Sequence, residues 1–85
     1  MDELSKVINI GKVLEGQLEQ VGIKTLDKLK KVGSKKTWLE IRVIDKSAWI
    51  NKLYALEGAI QGIKKKDLSC EVKSDLKEFY KSLDR

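Results

Sequence analysis

Histidine and proline are absent from this 85-residue sequence, and cysteine, methionine and phenylalanine each occur once. Without histidine the commonest general base and the commonest metal ligand are both missing. Cys70 has no second cysteine to pair with and no flanking motif of a nucleophile, so it is read as a first-turn helix residue in a protein of the reducing cytoplasm. Neither a structural zinc nor any other metal or cofactor is expected, and no catalytic residue is assigned. No apolar run approaches the roughly 18 residues that cross a membrane, and no signal peptide is evident, so no membrane partner is expected. Arginine is scarce too: the 18 basic residues are lysine except for Arg42 and Arg85. Lysine suits loose phosphate attraction better than bidentate reading of base edges.

What is present is charge and one apolar stretch. The chain is 36% charged with a net charge of +5, which favours anionic partners in a moderate way. It shows no repeat, no linker and no low-complexity segment, and is read as one domain over residues 1–85. Residues 48–63, AWINKLYALEGAIQGI, carry only Lys52 and Glu57 as charged groups. A helix this apolar belongs inside. With Ser47 as its cap, its large-residue sector is Trp49, Leu53, Leu56, Ile60 and Ile63, and Ala48, Ala55, Gly58, Ala59 and Gly62 form a small-residue stripe for close approach of another helix. Glu57 falls within the apolar sector. It is read as a structural carboxylate bonded to a backbone amide, a Trp indole or a lysine, in preference to a catalytic acid, because no second carboxylate accompanies it.

The other segments follow the same period. Leu4, Val7 and Ile8 predict one or two helical turns, and Asn9 to Gly11 a tight turn. Ile10, Val13, Leu14, Leu18 and Val21 predict a helix stopped at Gly22. Thr25 caps a helix facing inward through Leu26, Leu29 and Val32, and Gly33 ends it. Ser34 is expected to cap a helix over 35–45, where Trp38, Leu39, Ile41, Val43 and Ile44 cover more than one face. Ser69 caps a last helix with Val72, Leu76, Phe79 and Leu83 on one stripe and Tyr80 beside it. The expectation is an all-α, compact, five-helix orthogonal domain.

The Ile8 to Lys12 turn has the form of a helix-hairpin-helix, with Asn9 where that motif usually has its first glycine. Such a turn can offer backbone N–H groups to a phosphate. The competing reading takes this turn, and those at Gly22 and Gly33, as helix caps. Lys64, Lys65 and Lys66 form the densest cation run, and Lys30, Lys31, Lys35 and Lys36 a second cluster.

Asn9-Ile10-Gly11-Lys12, Val21-Gly22-Ile23, Gly33, and above all Asn51-Lys52-Leu53-Tyr54-Ala55-Leu56-Glu57-Gly58-Ala59-Ile60-Gln61-Gly62 with Asp67-Leu68 resemble the C-terminal domain of the TfoX/Sxy family, over about residues 7 to 80. The resemblance implies a small helical domain of the SAM-like or helix-hairpin-helix type. It also implies kinship with bacterial competence regulators that act with the cyclic-AMP receptor protein. Those regulators carry a further N-terminal domain, and this chain is expected as the C-terminal module standing alone. Where relatives commonly have an aromatic residue and a histidine before Asp67-Leu68, this sequence has Lys65 and Lys66.

Two readings of function follow. In the first, a non-enzymatic binding module in DNA-linked regulation uses Asn9, Gly11, Lys12, Lys35, Lys36, Lys64, Lys65 and Lys66 against phosphates. In the second, the module binds another protein or a second copy of itself through an exposed apolar patch using Trp38 or Tyr80. The arrangement in space separates them: the first needs the turn and both lysine clusters on one face, and scattered clusters favour the second.

Overall fold

The structure is a computed structural model in which residues 4–83 are described. Five α-helices follow a single 3₁₀ turn at Leu4–Lys6: α1 Lys12–Gln20, α2 Leu26–Val32, α3 Ser34–Ile44, α4 Ile50–Gln61 and α5 Cys70–Leu83, with a second 3₁₀ turn at Lys65–Asp67 before α5. No strand occurs among the described residues, and the fold is all-α. The segment before Asn9 makes only the 3₁₀ turn, with Asp2 of the expected first helix lying outside the described residues. The Cα radius of gyration is 11.9 Å. A compact chain of this length is expected at about 12 Å.

The ends of the helices follow local chemistry. Thr25 Oγ1 accepts from the Lys28 N–H at 3.1 Å, and Ser69 Oγ accepts from the Val72 N–H at 3.2 Å, two of the four side-chain caps the sequence predicts. Gly33 separates α2 from α3 by itself. Ser34 and Ser47 are not caps. α3 begins at Ser34, so its side chain already lies on the helix face, and Ser47 folds onto Asp45 instead, donating its N–H and hydroxyl to Oδ1 at 3.0 and 2.6 Å. α4 closes at Gly62 in the left-handed region, φ 75°, with the Ile63 N–H returning to the Gly58 carbonyl at 3.0 Å.

α3 and α4 form the central pair. α4 also packs on α2, α5 and the second 3₁₀ turn, and α3 on α1 and α2. Leu18, Leu29, Trp38, Ile41, Leu53 and Leu56 are fully enclosed, and Leu4, Ile23 and Leu76 nearly so. Fully burying one such side chain contributes about 1.5–3 kcal/mol. Trp38 is the largest of them. Its ring meets Phe79 and Tyr80 of α5 edge-on at centroid distances of 6.2 and 5.5 Å, and its indole N–H donates to the Trp49 carbonyl at 3.3 Å.

The two tryptophans exchange the places expected for them. Trp49 is 56% exposed, because α4 starts at Ile50 and Trp49 is its N-cap, where a side chain projects off the helix end rather than along the buried stripe. Trp38 is enclosed and Tyr80 half-buried against it, so neither supplies an exposed patch. Ile60 is half-buried against the core.

Gly58 is a glycine because of close approach, but the neighbour is not another helix. A Cβ there would stand 2.8 Å from the Ile63 carbonyl oxygen, 3.3 Å from Lys65 Cα, and against the Asn9 carboxamide. That carboxamide is itself a clamp. Asn9 Nδ2 donates to the Ile63 carbonyl at 2.8 Å and Oδ1 accepts from the Lys65 N–H at 3.1 Å, joining positions more than fifty residues apart. Asn9 holds φ 73°, which asparagine tolerates better than most residues.

A second polar clip joins α1, the end of α3 and α4. Asp45 Oδ2 accepts from Gln17 Nε2 at 2.7 Å and from Lys52 Nζ at 3.2 Å, while Lys52 Nζ also donates to Gln17 Oε1 at 2.7 Å. Hydrogen bonds from the Ser47 hydroxyl, then Gln17, the Ser47 N–H and Lys52, hold the Asp45 carboxyl far below the usual carboxylate range. A carboxylate whose pKa is lower folded than unfolded stabilises the fold fully above its unfolded pKa, and that contribution drains away as the pH falls below it.

Gly58→Ala is expected to destabilise the protein by about 1–3 kcal/mol in urea melts despite alanine's higher helix propensity. Gly16→Ala, inside α1 with no neighbouring atom within 4 Å of the added Cβ, is expected to stabilise it by about 0.5–1 kcal/mol. For Asp45→Asn, the stability gap to the unchanged protein is expected to be full near neutral pH and to narrow below about pH 4. A gap that stays constant to pH 3 contradicts the assignment of Asp45 as the titrating clip.

Candidate binding surfaces

Three surfaces stand out, and two of them flank α4. The first is an open cleft of about 330 Å³ between the start of α1 and the start of α4, lined among others by Asn9, Gly11, Lys12, Trp49, Asn51 and Lys65. The fold thus brings Asn9, Gly11 and Lys12 together with one lysine of the 64–66 run, beside an exposed indole. Lys52 lines the same cleft, but its charge is matched by Asp45. Lys12 and Lys65 have no ion pair among the described residues. Asn9 cannot spare its carboxamide for a ligand, since both ends hold the backbone at Ile63 and Lys65. Lys64 and Lys66 are exposed on either side of Lys65, and the Lys66 carbonyl accepts from Lys73 Nζ at 3.1 Å.

The second surface is a wider cleft of about 580 Å³ between α3, α4 and α5 that holds Lys35 and Lys36 with Glu57, Glu71 and Asp75. At about 100° per residue, Glu57 lies roughly opposite Lys52 and Ala55 on α4, so the two clefts are on opposite sides of that helix. Lys35 is committed: it pairs with Asp75 at 2.8 Å and lies 5.4 Å from the Phe79 ring centroid, tying α3 to α5. Glu57 accepts from the Ser34 hydroxyl and from Gln61 Nε2, each at 2.7 Å. It is a hydrogen-bonded carboxylate with partners other than the amide, indole or lysine expected. Carboxylates outnumber lysines here, which disfavours a phosphate. The turn and both lysine clusters therefore do not share one face.

The third surface is the outer side of α3, and no sequence pattern singled it out. Ser34, Thr37, Trp38 and Ile41 face the core at i, i+3, i+4 and i+7, which puts two hydroxyl residues inside. Thr37 Oγ1 has no hydrogen-bond partner among the described residues. Leu39, Val43 and Ile44 face outward, Val43 at 73% exposure. Two shallow grooves meet at Val43. One is lined by Leu39, Arg42, Lys46 and Leu83, the other by Gln20, Val21, Gly22, Glu40 and Ile44. Val13, expected in the core, is exposed on the α1 side. The available signal was the run Ile41, Val43, Ile44, which spreads apolar residues over more of the helix than one buried stripe can hold.

Among the described residues no helix is long and apolar enough to cross a membrane. No group of three His, Cys, Asp or Glu side chains among them could hold a metal ion.

Comparison with known proteins gives a consistent answer on kinship. A crystal structure of an uncharacterized protein from Listeria monocytogenes, in a triclinic form, superposes with a TM-score of 0.95 at 49% identity, covering 98% of this chain and 94% of that one. A protein of unknown function from Listeria monocytogenes, in a tetragonal form, gives a TM-score of 0.91 at 51% identity over 94% of this chain and 98% of that one. No curated protein matches the sequence. The profile of the TfoX C-terminal domain matches residues 1–80, nearly the whole chain, and the protein belongs to the TfoX C-terminal domain family.

Proposed function

We propose that this chain is a non-enzymatic binding module of the TfoX C-terminal type, serving DNA-linked regulation mainly through contact with protein. The observation that carries this reading is the inverted face of α3. Ser34 and Thr37 are buried while Leu39, Val43 and Ile44 meet solvent. A helix that encloses hydroxyls and exposes branched aliphatics departs from the pattern that folding alone selects, and such departures concentrate where a protein binds. The scattering of the lysine clusters supports the same choice, since a broad phosphate footprint would need them together.

A narrower nucleic-acid contact is supported by the α1–α4 cleft, where Gly11, Lys12, Lys65 and Trp49 converge. With two free lysines in the cleft, and Lys64 and Lys66 at its edge, such a contact is weak and blind to sequence. Glu57 shares an open cleft with Lys35, Lys36, Glu71 and Asp75, but its own hydrogen bonds go to Ser34 and Gln61, which supports a structural role for it.

Hydroxyl-radical footprinting tests the protein-docking reading. Oxidation of Leu39, Val43 and Ile44 is expected to be severalfold lower in cells that hold the protein at roughly 500 μM than in purified protein at about 1 μM, and equal oxidation in both overturns docking. For the cleft, titration of a labelled duplex is expected to show micromolar-range binding at about 20 mM salt, weakening with a log–log slope near −2. Lys12→Glu with Lys65→Glu is expected to abolish it. No binding up to about 100 μM duplex at low salt, or no salt dependence, removes the nucleic-acid contact.

A further inference from the structure

The outer face of α3 carries its own complement. Val43 stands between two grooves, and the charges on its two sides are opposite: Glu40 lies in the groove with Val21 and Ile44, whereas Arg42 and Lys46 lie in the groove with Leu39 and Leu83. Glu40 lies on α3 three residues before Val43, and Lys46, in the turn just beyond the end of α3, lines the groove on the other side of Val43. A two-fold axis in the contact plane, passing by Val43 with the two helices crossing, sets each Glu40 against the other copy's Lys46. The same operation lays each Val43 beside the other and turns the apolar residues Leu39 and Ile44 toward the contact. Neither Glu40 nor Lys46 has an ion pair among the described residues, so both charges are available.

From this self-complementarity we propose that the occupant of the α3 face is a second copy of the chain, in an isologous pair centred on Val43 and flanked by reciprocal Glu40–Lys46 contacts. The proposal rests on the docking reading and names its partner. A single helix face of eleven residues, about 16 Å long, offers less than the roughly 800 Å² per partner of a standard stable interface. The pair is therefore weak, with a dissociation constant on the order of 100 μM. None of the residues lining the α1–α4 cleft takes part, so the cleft stays open in the pair.

Sedimentation equilibrium from about 10 μM to 1 mM tests it. The weight-average mass is expected to climb from 9.7 kDa toward twice that value across this range. Val43→Glu, which brings two carboxylates together at the axis, is expected to hold the protein monomeric at every concentration while its thermal melt, followed by circular dichroism, stays unchanged. Glu40→Lys is expected to weaken association about tenfold by setting Lys against Lys, and the exchange Glu40→Lys with Lys46→Glu to restore it. A chain that stays monomeric at about 1 mM, a pair indifferent to Val43→Glu, or an exchange that fails to restore association each overturns the proposal. The docking reading fails separately: protection of α3 in cells alongside a monomeric purified protein overturns only the self-contact, whereas an unprotected α3 and a monomeric protein overturn both.

Discussion

The enclosure of Trp38 is the contact on which the rest of the structure depends. One side chain of α3 meets Phe79 and Tyr80 of α5, and its indole N–H reaches the carbonyl of Trp49 at the head of α4. A small domain has little surface to bury, and a single large ring touching two neighbouring helices at once is an economical way to set their relative positions. Its polar edge is satisfied by a main-chain carbonyl, so the burial carries no unpaired donor. Arg42 covers the ring from outside, with its guanidinium 5.3 Å from the centroid.

Around that centre, long-range polar clips do what a larger core would do in a larger protein. Asn9 holds the chain beyond α4 against the N-terminal turn. Asp45 joins Gln17 and Lys52, and Glu57 joins Ser34 and Gln61. Of these groups the sequence points Asn9 toward ligand binding and Glu57 toward a structural role. Asn9 shows the ambiguity most clearly. The positive φ expected of a phosphate-binding turn is present at Asn9, yet its carboxamide is engaged by the Ile63 carbonyl and the Lys65 N–H. The clamp also brings Lys65 to the turn, so one contact both consumes the asparagine and assembles the cleft.

The division of the surface follows from these commitments. Lys35 and Lys52 balance carboxylates, and the cleft beside Lys36 contains more acid than base. Among the described residues, Lys12 and Lys65 bring unpaired positive charge together in the α1–α4 cleft, while other unpaired lysines, Lys24, Lys30 and Lys31 among them, lie exposed elsewhere. Exposed apolar surface is left in two places, on α3 at Leu39, Val43 and Ile44 and in that cleft at Val13 and Trp49. The surface thus carries a small basic notch on one side of α4 and an apolar ridge on α3.

The number of helices, the caps at Thr25 and Ser69, the stops at Gly22 and Gly33 and the placement of Leu53 and Leu56 at the centre were determined by the sequence itself. Each depends on neighbours within one or two turns. The Leu-Tyr-Ala-Leu-Glu-Gly block likewise pointed to the family before any fold was known. Tertiary structure decided what local periodicity cannot reach. It decided which tryptophan is enclosed, because a shift of two residues at the start of α4 turns Trp49 out of its stripe. It decided that Gly58 makes room for Asn9 and not for a helix, because that contact spans about half the chain. It also decided which side of α3 faces inward: Ser34 is buried with Glu57 there to accept from it, Thr37 is buried beside it with its hydroxyl unpartnered among the described residues, and Leu39, Val43 and Ile44 are left outside.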